Sequence, residues 1–110
     1  MRYLIISRNR HPVPPDVAAT LFDAALAWKQ KYQSKIKEIF AFAGMQAGGG
    51  IAETQSHEEL DSIMAEFPMG PFGETEIYPL INVERAWEVR KKMAKTMATE
   101  SGRKPLTVDG

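Results

Sequence analysis

The amino-acid sequence predicts an α+β domain of βαββαβ order followed by one further helix. Three observations lead there. Four short runs rich in β-branched and aromatic residues are set apart by turn residues, two segments with apolar residues at helical spacing join the first run to the second and the third to the fourth, and a longer amphipathic segment follows the last run. A length of 110 residues is that of one domain. Residues 1–101 are read as that domain and 102–110 as a disordered tail.

Tyr3 to Ser7 reads as the first strand, ended by Asn9 and by Pro12, Pro14 and Pro15; both of its alternating faces are apolar, which predicts cover on both sides. Pro15 or Asp16 opens a helix that runs to about Ser34, with Val17, Leu21, Ala24, Trp28 and Tyr32 on one buried stripe. Ile36 to Ala43 forms the second strand, Gly44 a turn, and the third strand lies within Gln46 to Thr54. Its glycines, Gly48, Gly49 and Gly50, form strands poorly and point to a bulge or to the close approach of another group. Ser56 and Glu59 make a capping box for a second helix, whose apolar face is Leu60, Ile63, Met64 and Phe67. After a loop carrying Pro68, Gly70, Pro71 and Gly73, Thr75 to Ile81 is the fourth strand, and Pro79 marks it as an edge or a strand end. Asn82 can cap a third helix that reaches about Thr99, with Val83, Ala86, Trp87, Met93, Ala94 and Met97 as its inner stripe and Trp87 as the expected anchor. This order is that of the ferredoxin-like fold, two helices on one face of a four-stranded antiparallel sheet; a second copy of the sheet is the simplest cover for the other face.

Composition narrows the function. Fourteen basic and fourteen acidic residues give a formal charge of +0, so no global field draws the chain to nucleic acid or to a membrane surface, and neither is expected as a partner. Without cysteine there is no disulfide framework, thiolate nucleophile or Cys-ligated zinc. His11 and His57, the two histidines, are too few for a metal site unless carboxylates join them, and no metal is expected. No apolar run reaches the length of a membrane span, and Arg8, Arg10 and prolines follow the first strand, so a cytoplasmic location is expected.

Several residues are candidates for a site. Arg8, Arg10 and His11 follow the first strand, where they can hold a carboxylate or enolate or form a solvated basic loop. Aromatic residues, among them Trp28, Tyr32, Phe40, Phe42, Phe67, Phe72 and Tyr78, can line a pocket for a small hydrophobic or aromatic ligand or simply form the core, and the Tyr32 and Tyr78 hydroxyls are its candidate polar atoms.

From Ser34 to Leu80 the sequence, with AGMQAGGGIAETQSHEELDSIM and then FPMGPFGETEIYPL, resembles the muconolactone delta-isomerase family. The most specific part is a helix ending in an aromatic residue, then Pro, a variable pair, Pro71, Phe72, an acidic strand start and Pro79-Leu80. The resemblance implies a protomer of dimeric α+β barrels, assembling with itself and acting on small lactones or related ring compounds without metal or organic cofactor. It also implies that a helix carboxylate moving a proton falls on Asp23 as general acid or base. The alternative for Asp23 is a solvated carboxylate, since it lies nearly opposite Leu21 and Trp28 while bordering Ala19, Phe22 and Leu26. Phe40, Ala41, Phe42 and the glycines stand where the isomerases carry basic and aromatic side chains. The expected functions are a cofactor-free isomerase or cyclase, a non-catalytic small-molecule-binding or assembly module, and a cofactor-free monooxygenase.

Overall fold

The computed structural model of the protein describes residues 1–100, so the expected tail, 102–110, lies outside the described residues. The elements are β1 (Arg2–Asn9), α1 (Pro15–Lys31), β2 (Ile36–Ala41), β3 (Ala47–Glu53), α2 (His57–Ala65), a 3-10 turn (Gly70–Phe72), β4 (Gly73–Leu80) and α3 (Val83–Glu100). The predicted order holds. The chain forms two compact units, Met1–Leu80 and a second that begins at Ile81, of which α3 is the described part.

In the first unit the four strands form one antiparallel sheet in the order β2-β3-β1-β4. Central β1 pairs Tyr3 with Ala52 and Pro79, and Ile5 with Gly50 and Ile77. Because side chains alternate along a strand, Tyr3 and Ile5 face one side with Ala52, and there they pack against Leu60 and Met64 of α2. Leu4 and Ile6 point to the opposite face and are half-buried. Pro79 falls on an edge strand as expected, because it cannot donate to a second neighbour. The predicted irregularity is present but displaced: the register shifts on β2 between Ile36 and Glu38, not at the glycines of β3. Gly44 makes its turn at φ 77°, a left-handed conformation that favours glycine.

Pro15 is the first residue of α1, where its missing N–H has no partner to lose. The helix ends at Lys31, earlier than the predicted Ser34, with Tyr32 as its cap. The expected stripe is only partly buried: Trp28 is enclosed, Leu21 and Tyr32 are half-buried, and Val17 and Ala24 are exposed. The Trp28 indole N–H donates to the Ile63 carbonyl at 2.9 Å and its ring lies 4.9 Å from that of Phe67, which ties α1 to α2.

The capping box of α2 forms with one change of partner. Ser56 Oγ accepts from the Glu59 amide, while Glu59 reaches back to the Gln55 amide, one residue before the cap, each at 3.1 Å. Lys35 Nζ lies 2.9 Å from the same carboxylate, and its hydrogen bond, followed by that from Gln55, holds Glu59 below the usual carboxylate range. The Tyr3 hydroxyl meets His57 Nδ1 at 2.5 Å, joining the start of α2 to the centre of the sheet.

In the second unit Asn82 Oδ1 accepts from the Arg85 amide at 3.1 Å, the expected cap. The inner stripe predicted for α3 is not enclosed. Ala86 is buried, but Trp87 is 65% exposed, and Val83, Met93 and Met97 are exposed with it. A helical period sorts residues by hydrophobicity without saying what covers the apolar side.

Candidate functional site

Between the sheet and its two helices the first unit encloses a cavity of about 430 Å³. Gly48 and Gly50 of β3 and Ile5 and Ser7 of β1 contribute from the sheet, Ala18, Phe22 and Trp28 from α1, and Ile63 and Met64 from α2. Phe22 and Met45, which also line it, are 60% and 56% exposed and mark the side open to solvent.

The glycines explain why the space exists. Ser7 stands opposite Gly48 and Ile5 opposite Gly50, so β3 sends no side chain toward the helices at either position. Nor can one be added without cost, because a Cβ at Gly48 would stand 2.5 Å from the Phe40 carbonyl oxygen and one at Gly50 2.7 Å from that of Glu38. Both obstacles belong to the backbone of β2, which gives way only if the strand moves. The close approach anticipated from the triple glycine is that of neighbouring backbone.

The lining is apolar except at one end. Ser7 and Asn9 are two residues apart on β1 and therefore share a face. Gln46 joins them through hydrogen bonds from the Asn9 amide to its carbonyl at 3.0 Å and from Asn9 Nδ2 to its Oε1 at 3.4 Å. The Ser7 hydroxyl has no hydrogen-bond partner among the described residues. The Trp28 N–H is committed to Ile63, so the indole offers the cavity only apolar surface. No charged side chain lines the space. Among the described residues no three His, Cys, Asp or Glu side chains are grouped as metal ligands.

The residues singled out from the sequence are distributed over several places. Phe40 borders the cavity, but its ring lies on the face of Gly49 and Ile6, away from α1 and α2, and stacks on Phe42 at 5.9 Å between ring centres. Arg8 and Tyr78 meet on the face of the sheet opposite α1 and α2, where Glu76 accepts from Arg8 Nη1 at 2.6 Å and from the Tyr78 hydroxyl. The Tyr78 hydrogen bond, with the Arg8 charge behind it, holds Glu76 below its ordinary range, while the hydrogen bond to Glu76 and the charge of that carboxylate raise Tyr78 above its own. Tyr32 donates to Glu66, which also accepts from Lys31 Nζ at 3.1 Å, and this cluster joins the ends of the helices away from the cavity. His11 is exposed after β1, its amide bonded to the Phe72 carbonyl at 3.0 Å. Asp23 is exposed on α1 next to Phe22 and does not line the cavity. Ser7, Asn9 and Gln46 carry no sequence signal of their own; only register places them together, although Ser7 and Asn9 follow the apolar run of β1 at strand spacing.

Residues 1–94 match the family described as Domain of unknown function (DUF3303). Comparison with curated proteins gives no match. Among solved structures the chain is similar to a muconolactone isomerase, with 20% identity and a TM-score of 0.67 over 74% of this chain and 90% of that one. It is also similar to 5-chloro-2-hydroxyhydroquinone dehydrochlorinase from Burkholderia phenoliruptrix, with 22% identity and a TM-score of 0.59 over 77% of this chain and 98% of that one. These likenesses establish the shared α+β fold.

Proposed function

We propose a ligand-binding function for this chain, which belongs to the DUF3303 family: the cavity between the sheet and its helices receives a small, largely apolar ring compound. The observation that carries the reading is the cavity itself, about 430 Å³ with an apolar wall and one polar end, inside the range of roughly 300–1,000 Å³ usual for small-molecule sites. The two similar structures support it, since one is a muconolactone isomerase and the other was determined with 2,5-dihydroxybenzoquinone. Naphthalene, as a plain apolar probe, is expected to bind the protein one to one in isothermal titration calorimetry. Ala18→Trp, which projects an indole into the space from the surface of α1, is expected to weaken that binding at least tenfold. Absence of binding, or binding indifferent to the substitution, would falsify the reading.

A cofactor-free isomerisation of such a compound is a second reading, favoured by the fold shared with the isomerase. Asp23, adjacent to Phe22 at the open side of the cavity, is then the proton carrier, and Asp23→Asn removes turnover while leaving naphthalene affinity in place.

We also propose self-association. The chain presents Phe22, Leu26, Ile81, Trp87 and Met97, each at least 60% exposed, and its sheet carries the half-buried Leu4 and Ile6 on the face away from α1 and α2. Sedimentation velocity at micromolar concentration is expected to give a multiple of the 12.3 kDa chain mass; a single species at that mass sinks the proposal.

A further inference from the structure

We infer that the cavity selects an uncharged ring compound bearing a hydrogen-bonding oxygen, and that Ser7 receives that oxygen. The inference rests on the ligand-binding reading above and adds the charge class of the ligand and the residue that recognises its polar group.

Charge is decided by the wall. Not one side chain of the lining is ionisable as a partner for a carboxylate or an ammonium group, and a charge taken from water into an apolar space without a partner is strongly disfavoured. The guanidinium groups nearest in sequence are already engaged elsewhere. Arg8 is paired with Glu76 on the opposite face of the sheet, and Arg10 Nη2 lies 2.7 Å from Glu74.

The oxygen is assigned by comparing the polar side chains of the lining. The Asn9 and Gln46 carboxamides share one hydrogen bond at 3.4 Å, which leaves Asn9 Oδ1 and Gln46 Nε2 open beside exposed Gln46, and the Trp28 N–H holds Ile63; the Ser7 hydroxyl, half-buried, is without a partner among the described residues. A hydroxyl both donates and accepts, so it can meet a phenolic, enolic or carbonyl oxygen alike. Space is available beside it on the β3 side, where its cross-strand neighbour is Gly48; on the β4 side the neighbour is Thr75. Ser7 is thus a specificity-determining residue that distinguishes an oxygen-bearing ring from a bare hydrocarbon.

Three probes of one size separate the parts of the inference: naphthalene, 2-naphthol and 2-naphthoate, titrated calorimetrically at pH 7 into the wild type and into Ser7→Ala. The naphthol is uncharged at that pH, since a phenol titrates near 10. In the wild type 2-naphthol is expected to bind about fivefold more tightly than naphthalene, the scale of one net hydrogen bond, and at least about thirtyfold more tightly than 2-naphthoate. In Ser7→Ala the naphthol should lose its advantage, so that naphthol and naphthalene bind alike. If naphthalene binds but naphthoate binds as well as naphthol, or if naphthol has no advantage over naphthalene, the inference is overturned while the ligand-binding function stands. A naphthol advantage that survives in Ser7→Ala overturns the assignment of Ser7. If none of the three binds the wild type, the function itself fails and the inference with it.

Discussion

Replacing Trp28 with alanine is expected to be the most damaging single substitution in the first unit. Its side chain is buried, its ring packs 4.9 Å from that of Phe67, and its N–H reaches the Ile63 carbonyl at 2.9 Å, so one residue joins both helices. Truncating a buried aromatic costs about 3–5 kcal/mol, and in a domain of this size each kcal/mol moves the thermal midpoint by about 4–8 °C. Phenylalanine at the same position separates ring from hydrogen bond. The Ile63 carbonyl also accepts from the Glu66 amide at 3.3 Å, so losing the indole donor does not leave it bare, and the hydrogen-bond share of the loss is about 1 kcal/mol. Calorimetric melting of the three proteins tests this. A Trp28→Ala midpoint within a few degrees of the wild type, or equal losses for alanine and phenylalanine, contradicts the proposed role of the ring.

The second large effect is expected at Gly50, and its sign is what makes it informative. In an ordinary strand interior, exchanging glycine for alanine is favourable by roughly 0.5–1 kcal/mol, because the unfolded chain loses freedom. Here the added methyl would meet the Glu38 carbonyl oxygen at 2.7 Å, so β2 must shift away from β3, at a cost of about 1–3 kcal/mol typical of overpacking. Gly50→Ala should therefore lower the unfolding midpoint and speed amide hydrogen exchange in β2. Gly44→Ala is the contrast: nothing lies within 4 Å of an added Cβ, and its cost of roughly 1–2 kcal/mol comes only from a φ of 77°. A Gly50→Ala protein as stable as the wild type, with unchanged exchange in β2, would show that the strands accommodate the methyl freely.

Much of the framework was legible because its signals are local. Ser56 and Glu59 announce α2, Pro15 opens α1, Gly44 turns the chain, and the alternation of Tyr3 to Ser7 identifies β1; each acts within a few residues, which is the range sequence patterns report. The site was less legible because register assembles it. Ser7, Asn9 and Gln46 come together only once β1 is aligned on β3, and nothing in their spacing distinguishes them from ordinary polar residues at a strand end. Tyr32 and Tyr78 have the chemistry of ligand-binding residues, yet carboxylates close in space, Glu66 and Glu76, take their hydroxyls. The stripe of α3 shows the same limit for burial, since periodicity placed Trp87 with the apolar residues but could not supply a surface to cover it.

The irregularity of β2 and the proline of β4 have a common effect on how copies of this chain can meet. They lie on the two outer strands, where an unpaired row of N–H and C=O groups would otherwise template the addition of a foreign strand. On one border the register shift between Ile36 and Glu38 interrupts the regular ladder, and Lys37 and Glu38 add exposed charge. On the other, Pro79 removes a donor and Glu74 keeps a carboxylate in solvent. Each border thus discourages extension of the sheet into a continuous ribbon.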